Sequence, residues 1–208
     1  MIFSHVLYIA SNSASRKKLL EEAKIPFLVI DQDADETQVD TNQDFSQIVM
    51  QIAQLKMKHA QMLAGQHEDQ ICFVLTADTL GLTKSGRILT KPADRADAIS
   101  MLQDARLGTV TATGFCLRKL VWQDGVWSLD KEIVDYEESE SIFDVPDEFI
   151  DFYLDNIPFL SVSGAISIER IGGQFLQSVH GSYESIVGLP MFKIRKALFE
   201  FGFYKKEV

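Results

Sequence analysis

Cysteine is scarce in this sequence, and both cysteines lie in apolar surroundings. Only two occur among 208 residues, Cys72 within Ile-Cys-Phe-Val and Cys116 within Gly-Phe-Cys-Leu. Two thiols at this spacing match no zinc-binding pattern and cannot form a framework of disulfides. We therefore expect Cys72 and Cys116 to be ordinary buried thiols in a reducing compartment.

Basic residues are also few. The chain has 20 Lys and Arg against 30 Asp and Glu, which gives a formal net charge of −10. Proteins that coat nucleic acids collect cations in order to displace counterions, so we expect no nucleic acid polymer as a partner. An acidic protein that binds an anionic ligand must instead gather its cations locally, and a divalent metal would help it.

Long apolar runs are absent. No segment approaches the ~18 apolar residues that would span a bilayer, so the sequence predicts no membrane partner. The first residues, Met-Ile-Phe-Ser-His-Val-Leu, lack the basic head and the longer apolar stretch of a signal peptide. We therefore expect a cytoplasmic protein.

The composition is that of a globular α/β protein, with 46% hydrophobic and 24% charged residues. Strands alternate with helices early in the chain, and a long antiparallel hairpin with a turn at residues 123–125 follows, which indicates a mixed α/β sheet flanked by helices. Pro190 is predicted to begin the last helix, and Asp144 is predicted to cap the helix at residues 146–156. Residues 160–179 form a predicted β stretch with several glycines. The other strands are predicted at residues 6–10, 26–30, 71–76, 109–122 and 126–136, and the helices at 13–23, 44–64, 94–105, 146–156 and 191–201.

The first candidate site is a serine-rich turn between a strand and a helix, containing Ser11, Ser13, Ser15 and Arg16. Free backbone N–H groups and the positive end of the helix dipole favour an anion at such a position. Small hydroxyl residues let a phosphate approach, and an arginine can bind it through two hydrogen bonds. The alternative is a helix capped by Ser13, with solvated basic residues in its first turn.

The second candidate is Lys56, which lies on the apolar face of a helix. It follows Phe45 by 11 residues, which at 100° per residue places it within about 20° of Phe45 on that face. A lysine in such a place either extends to solvent or meets a fixed anion. The periodicity leaves both interpretations open.

Carboxylates at predicted strand ends are the third candidate. Ligands of open α/β sheets bind at strand ends, where a carboxylate can bind Mg²⁺ or activate water. For Asp78, which follows the predicted strand at residues 71–76, this functional interpretation is favoured. For the acidic segment that contains Asp31, Asp33, Asp35 and Glu36, a solvated loop is favoured. Lys91, which precedes Pro92 in an extended segment, is by itself a commonplace loop residue.

Five segments taken together resemble the Maf family of nucleoside triphosphate pyrophosphatases, also called septum-formation inhibitors. They keep the order and the approximate spacing of that family from about residue 6 to residue 200. The resemblance implies one domain over residues 1–208, with an elongated mixed sheet like that of inosine-triphosphate pyrophosphatases and two lobes around a central cleft. The five segments are Leu7-Tyr-Ile-Ala-Ser-Asn-Ser-Ala-Ser-Arg16-Lys-Lys-Leu-Leu20, Asp33-Ala-Asp-Glu36, Leu75-Thr-Ala-Asp78-Thr79, Thr90-Lys91-Pro92 and Ile186-Val-Gly-Leu-Pro190.

The resemblance also implies an activity and a partner. It implies a hydrolase of nucleotide metabolism that cleaves a nucleoside triphosphate, or a modified one, to the monophosphate and pyrophosphate, with Mg²⁺ or Mn²⁺ as cofactor and a homodimer as the assembly. The alternative is a non-catalytic nucleotide-binding regulator of cell division. A generic α/β interaction domain is a third interpretation.

The resemblance assigns roles to seven residues. Asp78 corresponds to the proton acceptor of the family, and Asp78 and Glu36 together correspond to its metal-binding and water-binding residues. The phosphate contacts that it implies are Ser11, Ser13, Arg16, Lys56 and Lys91.

Three positions that select the base give a mixed signature. Ser15 stands where the family has Arg or Trp, and Thr79 resembles the subgroup that acts on dTTP and UTP. Glu169 stands where that subgroup has Gln and the 7-methyl-GTP subgroup has Glu. A carboxylate accepts hydrogen bonds, so Glu169 suits the N–H donors of guanine, whereas Gln suits uracil or thymine. This mixed signature does not assign the base of the triphosphate that the resemblance implies.

Overall fold

The main element of the fold is a seven-stranded mixed sheet. A computed structural model describes residues 2–3, 5–41 and 43–205. Along the sheet the strand order is β3-β2-β4-β6-β7-β8, with β5 paired to β4, and β1 and β9 form a separate antiparallel pair. The strands are β1 (Ile2–Phe3), β2 (Leu7–Ile9), β3 (Phe27–Val29), β4 (Ile71–Thr83), β5 (Ile88–Leu89), β6 (Thr109–Gln123), β7 (Val126–Phe143), β8 (Leu176–His180) and β9 (Tyr204–Lys205).

Six α-helices accompany the sheet within the described residues. None of them is long and apolar enough to cross a bilayer. The helices are α1 (Ala14–Glu22), α2 (Phe45–Lys58), α3 (Arg95–Ala105), α4 (Asp147–Asp155), α5 (Tyr183–Val187) and α6 (Met191–Glu200). The mixed α/β class expected from the sequence is confirmed.

The chain divides into two compact units. The first comprises Met1–Asp78, Thr113–Tyr136 and Gly188–Val208, and the second comprises Thr79–Ala112 and Glu137–Val187. The central cleft and the single domain stay predictions.

In the first unit, β2 pairs in parallel with both β3 and β4. Seven consecutive residues of β4, from 72 to 78, are buried, as expected of a parallel strand that is covered on both faces. Both cysteines are buried, as predicted, and burial raises the pKa of each thiol to about 12. One apolar cluster of this unit consists of Ala53, Met57, Cys72, Val74, Cys116 and Leu120.

The second unit corrects the prediction of a β stretch at residues 160–179. That segment forms three short 3₁₀ turns, and only β8 is a strand. Gly164, Ala165 and Arg170 have positive φ angles, which a strand does not allow. The Tyr153 hydroxyl accepts a hydrogen bond from the Ser167 N–H at 2.8 Å and donates one to the Ala165 carbonyl at 2.9 Å, so these two backbone groups are satisfied without a strand partner.

Several predicted boundaries were also wrong. Helix α2 ends at Lys58 rather than at residue 64, and β4 continues through Thr83 rather than ending at residue 76. The N-cap of α4 is Pro146 and not Asp144, whose carboxylate instead lies 3.5 Å from Arg106 Nε. The hairpin was predicted correctly: Asp124 and Gly125 both have positive φ, as a tight two-residue turn requires, although β7 extends to Phe143.

Helix α2 lies very close to the sheet at Gly114 of β6. A Cβ atom placed on Gly114 would lie 2.6 Å from the carbonyl carbon and oxygen of Val49 and 2.7 Å from the Met50 nitrogen. These are backbone atoms of α2, so no side-chain rotation can relieve the clash. The backbone of the helix therefore rests directly on β6.

Replacing Gly114 with alanine should destabilise the protein by about 1–3 kcal/mol, since α2 would have to move away from the sheet. The free energy of unfolding is measured by urea denaturation followed by tryptophan fluorescence. Gly173→Ala is the matched control, because a Cβ there meets only the Ile168 carbonyl oxygen at 3.8 Å. Equal unfolding midpoints for the two variants would contradict the close approach.

Candidate active site

The serine-rich turn begins where β2 ends and β4 continues. The last parallel pair is Ile9 with Leu75, and the Ala10 N–H donates to the Leu75 carbonyl at 3.0 Å. Asp78 follows three residues further along β4. The sequence predicted Asp78 at the end of its own strand, and that prediction is wrong. Asp78 instead lies beyond the carboxyl end of the parallel neighbour β2.

Ser13 caps α1. Its hydroxyl accepts the Arg16 backbone N–H at 3.4 Å, and its own N–H donates to the Ser11 hydroxyl at 3.3 Å. The capped-helix interpretation therefore holds for Ser13. The same cap orients the first turn of α1, from which the Arg16 side chain extends.

Arg16 is a buried cation and not a solvated one, with only 9% of its surface exposed. Its Nε donates to the Gly188 carbonyl at 3.0 Å, and Nη1 donates to the Ser11 hydroxyl at 3.4 Å. Burial lowers the pKa of Arg16 from its ordinary value, and the negative charges of Asp78 and Glu36 oppose that shift. A guanidinium stays protonated in proteins, so Arg16 brings a positive charge into this site.

Lys56 meets fixed anions, which answers the question that its helical position left open. Its ammonium donates to Asp78 Oδ1 at 2.6 Å and lies 2.9 Å from Glu36 Oε1. The side chains of Lys56 and Asp78 are 9% and 11% exposed, whereas that of Glu36 is 50% exposed. A buried lysine and a buried aspartate are thus joined, with a second carboxylate on the solvent side.

Glu36 reaches this site because the acidic loop is attached to the end of α2. The Gln61 N–H donates to the Asp31 carbonyl at 2.8 Å, and Asp33 Oδ1 lies 3.1 Å from His59 Nδ1. Asp35 Oδ1 accepts the Thr37 N–H at 3.1 Å and caps a 3₁₀ turn that begins at Glu36. The solvated-loop interpretation is therefore incomplete for this segment, since it is attached to the residues that directly follow α2 and one of its carboxylates enters the cluster.

The structure brings five of the predicted residues into the first unit's charged cluster, defined here as Ser11, Arg16, Glu36, Lys56 and Asp78. Ser15 is half-buried in the first turn of α1. Thr79, Lys91 and Glu169 belong to the second unit, where Lys91 is exposed and the other two are half-buried. The roles of all these residues stay predictions.

The two carboxylates of the charged cluster fit a metal that is shared with a ligand. Glu36 and Asp78 both direct an oxygen at the Lys56 ammonium, so the two oxygens converge on one cation. Mg²⁺ is commonly bound by one or two carboxylates together with phosphate oxygens of the substrate. No group of three or more His, Cys, Asp or Glu side chains suited to a metal occurs in the described part of the chain. Glu36 and Asp78 are therefore the residues that would hold such a metal, and phosphate oxygens would have to complete its coordination.

Two contributors were missed from the sequence. Gly188 supplies the carbonyl that holds Arg16, and the only available signal was its place in the segment Ile186-Val-Gly-Leu-Pro190. Thr76 donates its hydroxyl to the Ala53 carbonyl at 2.7 Å, and no sequence pattern indicated that contact.

A mixed sheet with a charged cluster beside the carboxyl end of a parallel strand is an arrangement typical of α/β proteins that bind ligands at strand ends. The sequence matches the family described as Maf-like protein over residues 6–201, and the chain belongs to that family. It is 35% identical over 195 residues to a dTTP/UTP pyrophosphatase from Bacillus cytotoxicus, covering 93% of this chain and 94% of that protein. It is 33% identical over 195 residues to a nucleoside triphosphate pyrophosphatase from Chlamydia pneumoniae, covering 93% of each chain. The family resemblance is confirmed.

The Lys56→Met variant should lose about 3–5 kcal/mol of the free energy of unfolding, because it removes one partner of a buried ion pair and leaves the other without its cation. Adding Asp78→Asn to that variant should recover part of the loss. Urea denaturation measures both, and Lys58→Met, an exposed change in the same helix, should stay within about 0.5 kcal/mol of the parent. If the Lys56 and Lys58 variants unfold at the same urea concentration, the buried ion pair does not stabilise the fold.

Proposed function

We propose that this protein hydrolyses a nucleoside triphosphate to the nucleoside monophosphate and pyrophosphate. The observation that carries the proposal is the charged cluster, in which Lys56 joins the carboxylates of Asp78 and Glu36 beside the serine-rich turn. Membership of the Maf family supports it, as do relatives of nearly the same length named dTTP/UTP pyrophosphatase and nucleoside triphosphate pyrophosphatase.

The triphosphate is the part of the substrate that the charged cluster recognises in this proposal. Arg16 offers a planar pair of donors and Lys56 a compact ammonium, and both are buried. Buried cations bind phosphate oxygens more strongly than solvated ones, because less water competes and the local dielectric constant is lower. Ser11 and Ser13 add small hydroxyl groups at the start of a helix, where backbone N–H groups favour anions. Lys91 is proposed as a further phosphate contact.

The balance of charge explains why a divalent cation would be needed. Within the charged cluster, two cations face two carboxylates, so the positive charge is already neutralised. A triphosphate carries about four negative charges at neutral pH, and the oxygens of Glu36 and Asp78 are the protein ligands for an Mg²⁺ or Mn²⁺ that accompanies it. When bound, the metal polarises the phosphoryl oxygens and neutralises part of their charge.

In the chemical step, Asp78 is proposed as the general base. It accepts a proton from a water molecule whose oxygen attacks the α-phosphorus. The bond between that phosphorus and the oxygen bridging to the β-phosphorus breaks, and the electron pair leaves with pyrophosphate. Lys56 and Arg16 stabilise the negative charge that develops on the phosphoryl oxygens.

Pyrophosphate release should depend on Asp78. Asp78→Asn removes the proton acceptor and should lower kcat by about 10²-fold or more on the best triphosphate. Asp124→Asn is the matched control, since Asp124 is exposed in a hairpin turn where asparagine is equally well tolerated. Pyrophosphate is measured by a coupled assay with UTP, dTTP, CTP, ATP, GTP and 7-methyl-GTP, with and without chelator. An Asp78 variant with near-normal turnover would exclude Asp78 as the base.

The same panel separates the enzyme from a non-catalytic nucleotide-binding regulator. A regulator would bind a triphosphate and release no pyrophosphate from any of them. A generic α/β interaction domain would neither bind a triphosphate nor hydrolyse one. A second carboxylate beside the buried ion pair supports the enzyme, because two carboxylates weaken a site that only has to bind an anion.

Base preference is proposed to depend on Glu169 with Ser15 and Thr79. Glu169→Gln should lower kcat/KM for guanine nucleotides relative to UTP and dTTP by about tenfold, because Gln can donate to a uracil carbonyl and Glu cannot. The ratio of kcat/KM values across the panel measures this effect. An unchanged ratio would show that Glu169 does not contact the base.

A further inference from the structure

Thr76 makes a contact that has no direct part in the proposed substrate binding or in the proposed chemical step. It lies in the fully buried part of β4, and its hydroxyl donates to the Ala53 carbonyl of α2 at 2.7 Å. In an α-helix that carbonyl already accepts the N–H of the residue four positions on, so α2 does not need the hydroxyl to satisfy its backbone. A valine of the same shape would fill the space equally well. The hydroxyl therefore has an effect other than packing.

The hydroxyl contact and the ion pair connect the same two elements. Thr76 and Asp78 are two residues apart on a strand, so their side chains lie on the same face. Ala53 and Lys56 are three residues apart on a helix, so they too lie on one face. The Thr76–Ala53 hydrogen bond is thus the neighbouring cross-link to the Lys56–Asp78 pair, about one helical turn away.

Gly114 supplies an independent point of attachment. The backbone at Val49, one turn before Ala53, packs directly on this glycine. Three successive turns of α2 are therefore attached to the sheet: Val49 by contact, Ala53 by a hydrogen bond and Lys56 by its ion pair. The contact at Gly114 sets how close the helix lies, and a directional hydrogen bond also fixes its position along the strand.

We propose that Thr76 is a positioning residue for the Lys56–Asp78 pair. Its hydroxyl anchors α2 to β4 so that the Lys56 ammonium lies against the Asp78 carboxylate. The consequence for catalysis rests on the proposed function, whereas the consequence for the geometry of the pair does not.

The length of the lysine side chain explains why such an anchor has an effect. Lysine has four rotatable side-chain bonds and about 2 kcal/mol of rotamer entropy, so the side chain alone does not define where its ammonium lies. Anchoring the helix backbone one turn away restricts the positions that the ammonium can reach. Moving a charged group such as this ammonium by about 1 Å can lower the reaction rate by about 10²-fold.

The kinetic test compares Thr76→Val, Thr76→Ser and Thr109→Val. The Thr109 hydroxyl is buried and has no hydrogen-bond partner among the described residues, so Thr109→Val makes the same chemical change without loss of a contact. For Thr76→Val, kcat should fall by about 10- to 100-fold with KM changed by less than about threefold. Thr76→Ser should recover to within about threefold of the parent, and Thr109→Val should match the parent.

A second readout does not depend on activity. Lys56 and Lys58 are labelled with an amine-reactive acylating reagent and quantified by mass spectrometry, with the exposed Lys58 as internal reference. Labelling of Lys56 relative to Lys58 should rise in Thr76→Val and return in Thr76→Ser, at a temperature where circular dichroism shows each variant folded. Should Thr76→Val not fold, Thr76→Ala, which removes the hydroxyl without adding a group, replaces it in both assays.

The outcomes separate the two proposals. If the parent releases no pyrophosphate from any triphosphate, the proposed function fails, and labelling alone decides the role of Thr76. Unchanged labelling in Thr76→Val would overturn the positioning role whatever the activity. Equal loss of kcat in Thr76→Val and Thr76→Ser would overturn it as well, because the hydroxyl would then not be the responsible group. In an Asp78→Asn background, Thr76→Val should add less than about twofold, and a full further loss would also overturn it.

Discussion

The ammonium of Lys56 is the point on which the rest of this site depends. It lies in a buried place, and such a charge is tolerated only where opposite charges and hydrogen bonds compensate for the lost water. Asp78 and Glu36 provide that compensation at 2.6 and 2.9 Å. Three separate parts of the chain, namely α2, β4 and the acidic loop, must therefore be held in place together. The attachments of the loop to His59 and Gln61 follow from the same requirement.

Charge compensation also reconciles an acidic protein with a polyanionic ligand. The chain carries a net charge of −10, so its overall field repels a triphosphate. The charged cluster restores local neutrality, because Arg16 and Lys56 face the buried carboxylate of Asp78 and the half-exposed carboxylate of Glu36. In the proposed function, a divalent cation reduces the roughly four negative charges of a triphosphate to about two, and Arg16 and Lys56 are the cations of the cluster that face them. Binding then costs less than the net charge of the protein suggests.

A feature could be predicted from the sequence when it depends on residues within a single helix or strand, and not when it depends on contacts between elements. The 3.6-residue period placed Lys56 on the apolar face of α2, and hydrophobic runs located β2 and β4, because such patterns follow from single elements. Whether Lys56 met solvent or an anion depended on Asp78, 22 residues away, and the periodicity could not decide it. Glu36 resembled a solvated loop residue for the same reason, since the contacts that hold the loop are tertiary. The predicted β stretch at residues 160–179 was wrong up to residue 175, because short 3₁₀ turns and the Tyr153 hydroxyl provide backbone hydrogen bonds there that the sequence pattern did not indicate.

The contacts that position the charged cluster are the least visible in the sequence, and their chemistry explains why. A long flexible side chain such as that of Lys56 is positioned by its backbone, so the decisive contacts are made by the backbone of α2 at Val49 and Ala53. Their partners are a glycine without a side chain and a threonine in an apolar strand, and both look like ordinary core residues. Neither Gly114 nor Thr76 carries a charge or touches a phosphate in the proposed reaction. Uncharged residues therefore determine how precisely the charged groups are positioned, because they fix the separation and register of the two elements that bear the charges.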